Sequence, residues 1–386
     1  MRIVHLVRQF RPSVGGLENY VDNLAREQGR AGHEVTVVTL DRLFRQPDTR
    51  LPASEATPDY RIVRIPWRGS SKYPVAPAFL GHLRDADIVH VHAVDFFFDA
   101  VAATKVLHRK PIVATTHGGF FHTNAGSRFK RAFFHTVTRT TIKAYDAVFA
   151  CSEGDLATFT IIRPDGLVLV ENGVDCVKFR GQGSPDFVKS MVFVGRFSAN
   201  KRLDRLIRFL ACLNARDPGW DLTIAGVEWD IGPADLDRLA EEHGVKDRVR
   251  VMTGISDGEL RTVLAGCSVA VSASEYEGFG IAVVEGMSAG LLPLLNDIPS
   301  FRRIHEGSGV GLVVDFAAPD AAAEAFTRLL PAMRSEYAAR RGRAMAYADG
   351  FGWGNVAARI QTIYDGILAE RGCSAPAPRL ASRGGL

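Results

Sequence analysis

The chain has 386 residues, of which 46% are hydrophobic and 23% charged, with a formal net charge of +4. This composition describes a globular protein long enough for two domains, and no apolar run approaches the ~18 residues of a membrane span. Its five cysteines are scattered, and no two of them form a C-x-x-C motif, which excludes a cysteine zinc site or a disulfide framework. This cysteine usage suits a reducing cytosol.

Short apolar runs alternate with amphipathic stretches, a pattern typical of parallel sheets covered by helices. Helices are predicted over Gly16–Gly32 and Lys201–Ala215, among others. The first series of predicted strands is Ile3–Val7, Glu34–Thr39, Ile62–Ile65, Ile88–His92, Ile112–Thr116, Ala147–Ala150 and Leu167–Val170. The second is Met191–Val194, Asp221–Ala225, Val249–Met252, Val269–Ser272, Leu292–Leu295 and Gly311–Val314. Two such series predict an α/β protein with two doubly wound domains and a cleft between them.

A Gly/Ser/Pro-rich stretch at residues 180–185 predicts the linker between the domains, which places them at 1–180 and 186–352. Residues 353–370 are predicted to form one helix. Residues 371–386, rich in Pro, Ala, Ser and Gly, are predicted to be a disordered tail.

The first domain contains two candidate ligand sites at strand ends. Gly15 and Gly16 stand between a strand and a helix, where backbone N–H groups can face a phosphate, although they do not form the dinucleotide fingerprint G-x-G-x-x-G. His117 ends a predicted strand before two glycines, and we expect it to be functional; His122 is a weaker candidate.

Metal binding is not predicted in this domain. Residues 85–87 form a D-x-D sequence that is interpreted as a turn before a strand. His90 and His92 alternate on one strand face, but no third ligand follows at a suitable spacing, so packing or cleft lining is favoured.

The second domain opens with a strand that ends at Gly195; Arg196 follows it, and a helix begins near Lys201. Two cations at the carboxyl edge of a parallel sheet suit a diphosphate, with Arg as a fork and Lys as a point charge. Glu277 and Glu285 follow, eight positions apart, around a Gly-Phe-Gly turn and a helix start. The N–H groups of such a helix start favour a phosphate, and a nearby carboxylate can bind hydroxyl groups. A ligand that carries both phosphates and a hydroxyl-rich ring is a nucleotide sugar, and the motif therefore indicates one.

These motifs, in this order and together with Asn172–Asp175, resemble those of the retaining glycosyltransferases of family 4, and the resemblance covers nearly the whole chain. It implies the GT-B fold, with two Rossmann-like domains facing each other across a cleft and the 353–370 helix crossing back to the first domain. Gly173 is expected to shape the hinge with a positive φ. One departure is Arg202, where the family often has glycine.

The resemblance also implies roles for residues. His117 would touch the transferred sugar, and Arg196 and Lys201 would clamp the diphosphate. Glu277 would lie at the sugar ring and Glu285 at the ribose. The remaining donor-side residues would be Gly15, Gly16, Phe279, Gly280 and Ile281.

Segments 7–13, 68–74 and 117–123 resemble a mannosyltransferase branch of this family. That likeness implies GDP-mannose as donor, a polyprenyl-diphosphate-linked cellobiosyl acceptor, exopolysaccharide assembly, and no obligatory metal or other cofactor. Three alternatives stay open at this point: a UDP-glucose-type donor, a non-hydrolysing nucleotide-sugar epimerase, and a non-enzymatic lipid- or polymer-binding module.

The charge is uneven along the chain. Residues 1–180 carry 24 Lys/Arg against 18 Asp/Glu, and residues 100–145 contain eight bases and no acid. No known nucleic-acid-binding module is present. We therefore expect a cytoplasmic protein attached peripherally to the anionic inner face of the cell membrane through this segment, with Phe129, Phe133 and Phe134 inserting if they face outward.

Overall fold

The computed structural model describes residues 1–71, 73–118 and 131–372, and these form two compact units. The first unit combines Met1–Gly173 with the chain from Trp353 onward, and the second is Val174–Gly352. The predicted linker at 180–185 is packed into the second unit, since Phe179 is buried in its core and Gly181 N donates to Ser288 O at 3.0 Å. The boundary therefore lies earlier, at Gly173.

The first unit is built on an eight-stranded sheet with the order β12-β11-β10-β9-β1-β2-β6-β5, parallel except for β5. Two small hairpins, β3–β4 and β7–β8, were not predicted from the sequence. The strands are β1 Arg2–Leu6, β2 Glu34–Leu40, β3 Arg42–Leu43, β4 Gln46–Arg50, β5 Ser54–Ala56, β6 Arg61–Ile65, β7 Arg68–Ser70, β8 Tyr73–Val75, β9 Ile88–His92, β10 Ile112–Thr115, β11 Ala147–Ala150 and β12 Leu167–Leu169.

Helices cover both faces of this sheet, as a parallel sheet requires. They are α1 Gly16–Arg30, α2 Phe79–Leu83, α3 Phe96–Ala103, α4 Lys105–His108, α5 Arg139–Thr141 and α6 Glu153–Thr160, with a π-helical turn at Phe134–Thr138 and a 3-10 turn at Ile142–Ala144.

The second unit is a six-stranded parallel sheet with the order β15-β14-β13-β16-β17-β18, which is the order of a doubly wound nucleotide-binding sheet. Its strands are β13 Ser190–Phe197, β14 Asp221–Glu228, β15 Val249–Thr253, β16 Val269–Ser272, β17 Leu292–Asn296 and β18 Leu312–Val314. Its helices are α7 Leu203–Arg216, α8 Pro233–Glu242, α9 Asp257–Ala265, α10 Ile281–Ser288, α11 Pro299–Ser308, α12 Pro319–Ser335 and α13 Tyr337–Asp349, with 3-10 turns at Ala199–Lys201 and Lys246–Arg248. The predicted α/β class, with two doubly wound series, is confirmed.

The last helix, α14 (Trp353–Glu370), completes the core of the first unit. Ile360 and Tyr364 are fully buried in one apolar cluster with Ile3 and Leu24 from the opposite end of the chain. None of the described helices is long and apolar enough to span a membrane.

Gly173 does not have the positive φ that the sequence suggested. Position 173 requires glycine for a different reason: a Cβ here would lie 2.3 Å from Cδ2 of Trp353, the first residue of α14. The constraint is therefore close packing between two segments of the first unit.

Gly173→Ala should reduce the free energy of unfolding by about 1–3 kcal/mol, because the added methyl group displaces the Trp353 ring. Urea unfolding followed by tryptophan fluorescence measures this. The control is Gly81→Ala in α2, where nothing lies within 4 Å of the new Cβ; it should be neutral or stabilise by about 0.5–1 kcal/mol. Equal stability of the two variants would contradict the packing constraint.

Candidate functional site

The candidate residues of the second unit gather where the strand order of its sheet reverses. β13 lies between β14 and β16, and ligands of doubly wound sheets bind beyond the carboxyl ends of the strands at this point. Arg196, near the end of β13, is exposed, and its guanidinium carbon lies 5.2 Å from the centre of the Trp229 ring. Trp229, which the sequence did not single out, holds this cation by a cation–π contact.

Lys201 and Glu277, 76 positions apart, are brought into direct contact. Lys201 Nζ forms an ion pair with Glu277 Oε1, which also accepts a hydrogen bond of 2.8 Å from Ser274 Oγ. Asn200 Nδ2 donates to Tyr276 O at 2.9 Å, so the loops after β13 and β16 are joined along several bonds. The cation and the carboxylate are thus fixed in place by the protein itself.

Helix α10 begins beside this pair. Gly280, its N-cap, has φ +102°, and a Cβ there would lie 3.0 Å from the Phe301 ring, so both backbone and space demand glycine. Phe279 is buried beneath the turn, whereas Ile281 is 42% exposed. The first turn of α10 contains no acidic side chain. Its N–H groups without helical acceptors therefore favour a bound anion.

Glu285 lies one turn further along α10 and is partly exposed. Burial raises the pKa of its carboxyl group above the ordinary value, Lys178 opposes this rise, and Asp175 and Asp257 add to it. Lys178 Nζ pairs with Asp257 at 2.7 Å. Lys178 is not part of any sequence motif, and only the fold shows that it is a neighbour of Glu285.

In the first unit, Gly15 and Gly16 stand at the start of α1, as predicted. Gly15 is extended, and the Glu18 carboxylate lies against it, 2.5 Å from where a Cβ would be. Ser13 Oγ donates to that carboxylate at 2.8 Å. A phosphate at this helix start would therefore have to displace an internal anion.

His117 follows β10 and is the candidate residue with the most unusual backbone. Its φ is +54°, a left-handed conformation that non-glycine residues rarely adopt and that recurs at functional sites. Its Nε2 lies 3.0 Å from His92 Nδ1, its Nδ1 lies 3.9 Å from Cys151 Sγ, and the edge of Tyr20 packs against the ring at 4.6 Å between centres. Burial lowers the pKa of His117 to about 3, so the imidazole is neutral at physiological pH.

His92, which contacts His117, belongs to a group of three histidines that the sequence spacing did not reveal. Within the described residues, His5, His90 and His92 form a group whose ligand atoms lie within 4.8 Å of one another, so the expectation that no third histidine joins the pair is wrong. β1 and β9 are parallel partners with His5 opposite His90, which the spacing along one strand cannot show. All six ring nitrogens nevertheless already have hydrogen-bond partners, so the group is a poor metal site.

Some predicted features lie outside the described residues, namely Gly119–Lys130 with His122 and Phe129, and the tail from Cys373. Phe134 is described and is buried at 1% exposure in the core. It therefore cannot insert into a membrane as the sequence interpretation allowed.

Comparisons with known proteins agree with this geometry. The model of Glycosyltransferase Family 4 matches residues 14–178, and that of Glycosyl transferases group 1 matches residues 178–344. The GDP-mannose:cellobiosyl-diphosphopolyprenol alpha-mannosyltransferase of Xanthomonas campestris is 44% identical over 370 residues, covering 95% of this chain and 97% of that protein. The enzyme of the same name from Komagataeibacter xylinus is 39% identical over 388 residues, covering 100% and 97%.

A solved glycosyltransferase structure from Rickettsia africae matches with a TM-score of 0.73 over 95% of this chain and 98% of that one, at 18% identity. At that identity the likeness shows the fold, and it agrees with the expected GT-B class.

Proposed function

The chain belongs to glycosyltransferase family 4, and on this premise we propose that it is a retaining alpha-mannosyltransferase. Its donor is GDP-mannose, and its acceptor is a cellobiosyl unit linked to polyprenyl diphosphate, as in exopolysaccharide repeat-unit assembly. The observation that carries this proposal is the 44% identity, over 95% of the chain, to an enzyme named for that donor and acceptor. The geometry of the second unit supports it independently, since it offers cations, helix N–H groups and carboxylates to one ligand.

In this proposal the donor diphosphate lies at Arg196, Lys201 and the start of α10. Negative charge on the diphosphate grows as the sugar–phosphate bond breaks, and fixed positive groups stabilise that charge most in the transition state. The leaving diphosphate accepts the proton of the attacking hydroxyl on the same face of the sugar, which gives retention. Because cations and backbone dipoles supply the positive charge, no obligatory metal ion is proposed.

The two glutamates have different tasks. Glu277, held by Lys201 and Ser274, is assigned to the sugar ring, and Glu285 to the ribose hydroxyls. In the first unit, His117 and the Gly15-Gly16 turn are assigned to the sugar and acceptor side.

A donor screen tests the function directly. Purified protein is incubated with the lipid-linked cellobiosyl acceptor and either GDP-mannose or UDP-glucose, and the product anomer is identified by NMR. An alpha-mannosyl product supports the proposal. A glucosyl product indicates another donor, turnover without acceptor indicates an epimerase, and no nucleotide binding indicates a non-enzymatic module.

Arg196→Ala and Lys201→Ala should each reduce kcat by about 100-fold or more, the usual scale for losing one electrostatic stabiliser. The matched control is Arg208→Ala, which removes the same charge from an exposed position on α7 and should transfer at the wild-type rate. Steady-state kinetics with GDP-mannose measures all three. Wild-type rates in both site variants would remove the diphosphate clamp from the proposal.

Glu285→Ala should weaken GDP binding by about tenfold or more, because a charged hydrogen-bond acceptor is lost from the ribose. Glu277→Ala should keep GDP affinity, because it frees Lys201 from its ion pair and leaves this cation available to the diphosphate. It should lower turnover, because the carboxylate assigned to the sugar ring is lost. Glu275→Ala, an exposed glutamate paired to Arg202, is the control. Calorimetry measures affinity, and the opposite pattern would show that the two carboxylates are wrongly assigned.

The pH dependence of binding has a definite sign. Burial raises the pKa of Glu285, so its carboxylate loses charge at a higher pH than an ordinary glutamate. GDP affinity of the wild type should therefore fall further on acidification than that of Glu285→Gln, measured in the same titration.

We also propose that the segment 100–145 docks the first unit on an anionic membrane surface. Among its bases, Arg131, Arg139 and Lys143 are exposed, and on α4 Val106 and Leu107 are 77% and 72% exposed. Lys105 of α4 donates to Ala144 O, which joins α4 to this basic helical segment. Exposed apolar side chains beside bases suit an interfacial contact.

Changing Arg131, Arg139 and Lys143 together to Ser should weaken sedimentation with anionic liposomes, because each base near the surface contributes about 1 kcal/mol. The matched control changes Arg250, Arg328 and Arg343 of the second unit to Ser. Added salt should weaken binding of the wild type by screening. Binding that is equal in both triple variants would exclude this segment as the anchor.

A further inference from the structure

A continuous row of hydrogen bonds runs from His117 through the buried layer of the first unit. His117 Nε2 lies 3.0 Å from His92 Nδ1, His92 Nε2 lies 2.9 Å from His5 Nδ1, and His5 Nε2 lies 2.7 Å from Gln28 Oε1. His5 and His92 are 0% exposed and Gln28 is 1% exposed. We call these four residues the histidine row.

The end of the row at Gln28 determines where each proton lies. The Gln28 amide is oriented with Oε1 towards His5. An amide oxygen only accepts, so in this orientation His5 donates from Nε2, and a neutral imidazole with one N–H then accepts at Nδ1. The same reasoning makes His92 donate from Nε2 to His5, and His117 donate from Nε2 to His92. His117 is left with an unprotonated Nδ1.

The row is neutral at physiological pH. Burial lowers the pKa of His5 to about 4, and that of His92 well below the ordinary value. The coulombic effects of His90, His5 and His117 lower the pKa of His92 further, so a proton added to one ring opposes a proton on the next. A single tautomer pattern therefore persists across the physiological range.

The row cannot carry a proton out of the site. A proton moving from His117 towards Gln28 would arrive at a carboxamide, which is not a base at physiological pH. The arrangement therefore sets the tautomer of His117 instead of exporting its proton, as the partner of a functional histidine does in other enzymes.

The remaining ring nitrogen of His117 has only a weak partner. Cys151 Sγ lies 3.9 Å from Nδ1, and burial raises the pKa of this thiol to about 12, so it stays a thiol, which is a weak donor. A hydroxyl group would bind this lone pair more strongly.

We propose that His5, His92 and Gln28 are positioning residues that hold His117 as the neutral Nε2–H tautomer, so that its Nδ1 accepts a hydrogen bond from a substrate sugar hydroxyl. The role of Nδ1 rests on the proposed glycosyl transfer, whereas the tautomer assignment rests on the hydrogen-bond geometry, the orientation of the Gln28 amide and the neutrality of the buried rings. His117 cannot then donate to the substrate through its ring.

His90 offers a matched control. It lies on the same strand and is equally buried, and its ring stacks on His92 at 4.1 Å, but its nitrogens bond Tyr364 and Thr115 at 2.6 Å each. It therefore touches the histidine row without belonging to it.

The experiment uses the full chain labelled with ¹⁵N-histidine, and long-range ¹H–¹⁵N correlation spectra from about pH 5 to 8 report each tautomer. In the wild type, His117 should show Nε2–H throughout and should not titrate. In His92→Phe it should lose this single tautomer. The kcat for mannosyl transfer should fall about 10- to 100-fold, the scale on which removing the outer partner of a metal-bound imidazole lowers activity. KM for GDP-mannose should change little. His90→Phe should keep the His117 signature and transfer within about threefold of wild type.

Gln28→Leu provides a second variant that does not touch His117 and should also release the tautomer. Circular dichroism and thermal unfolding show whether the first unit, which carries the substitutions, is folded in every variant, and GDP calorimetry does the same for the second unit. An Nδ1–H tautomer of His117 in the wild type, titration near the ordinary histidine pKa, or full activity in His92→Phe would overturn the proposal. A correct tautomer in a protein that transfers no sugar from any donor would overturn the proposed function and, with it, the role of Nδ1.

Discussion

The reversal of strand order in the sheet of each unit is the constraint on which the rest of the structure depends. In the second unit β13 has β14 on one side and β16 on the other, so the helices that follow these strands leave towards opposite faces. The space beyond their carboxyl ends stays open, and the loops that carry Lys201 and Glu277 extend into it. The first unit repeats the arrangement, because β1 lies between β2 and β9, and the residues after β1, β9 and β10 include Gly15 and His117.

Each unit keeps its candidate groups in position with internal polar contacts. Lys201 is paired to Glu277 before any ligand arrives, and their side chains are only 16% and 20% exposed. In the first unit the imidazoles beside His117 are hydrogen-bonded in a fully buried layer, where an unpaired polar group would cost about 1–3 kcal/mol. The same low dielectric that makes these contacts strong makes loss of one partner damaging. Preorganisation of this kind lowers the reorganisation required at the moment of reaction.

The sequence predicted the strands well, because parallel strands buried on both faces are almost continuous apolar runs. Ile88–His92, Ala147–Ala150 and Val269–Ser272 have the predicted bounds. The second-unit motif was readable because its glycines, cations and carboxylates each have a distinct chemistry at a strand end. What remained hidden depends on contacts between distant positions. Gly173 must be glycine because the Trp353 ring packs against it. His5 of β1 lies opposite His90 of β9 and so joins the histidine pair of that strand. Phe134 is buried in the core. Lys178 is an ordinary lysine until the fold places it near Glu285.

The division of the first unit into two chain segments has a consequence for biosynthesis. The ribosome makes Met1–Gly173, then all of the second unit, and only then α14. Until α14 emerges, the apolar cluster formed by Ile3 of β1 and Tyr20 of α1 lacks Ile360, and His90 lacks the Tyr364 hydroxyl. The second unit, in contrast, is continuous and can fold as its own segment leaves the exit tunnel. The nascent first unit must therefore wait with an open apolar face during synthesis of some 180 residues, which makes it the part of the molecule that a chaperone would shield.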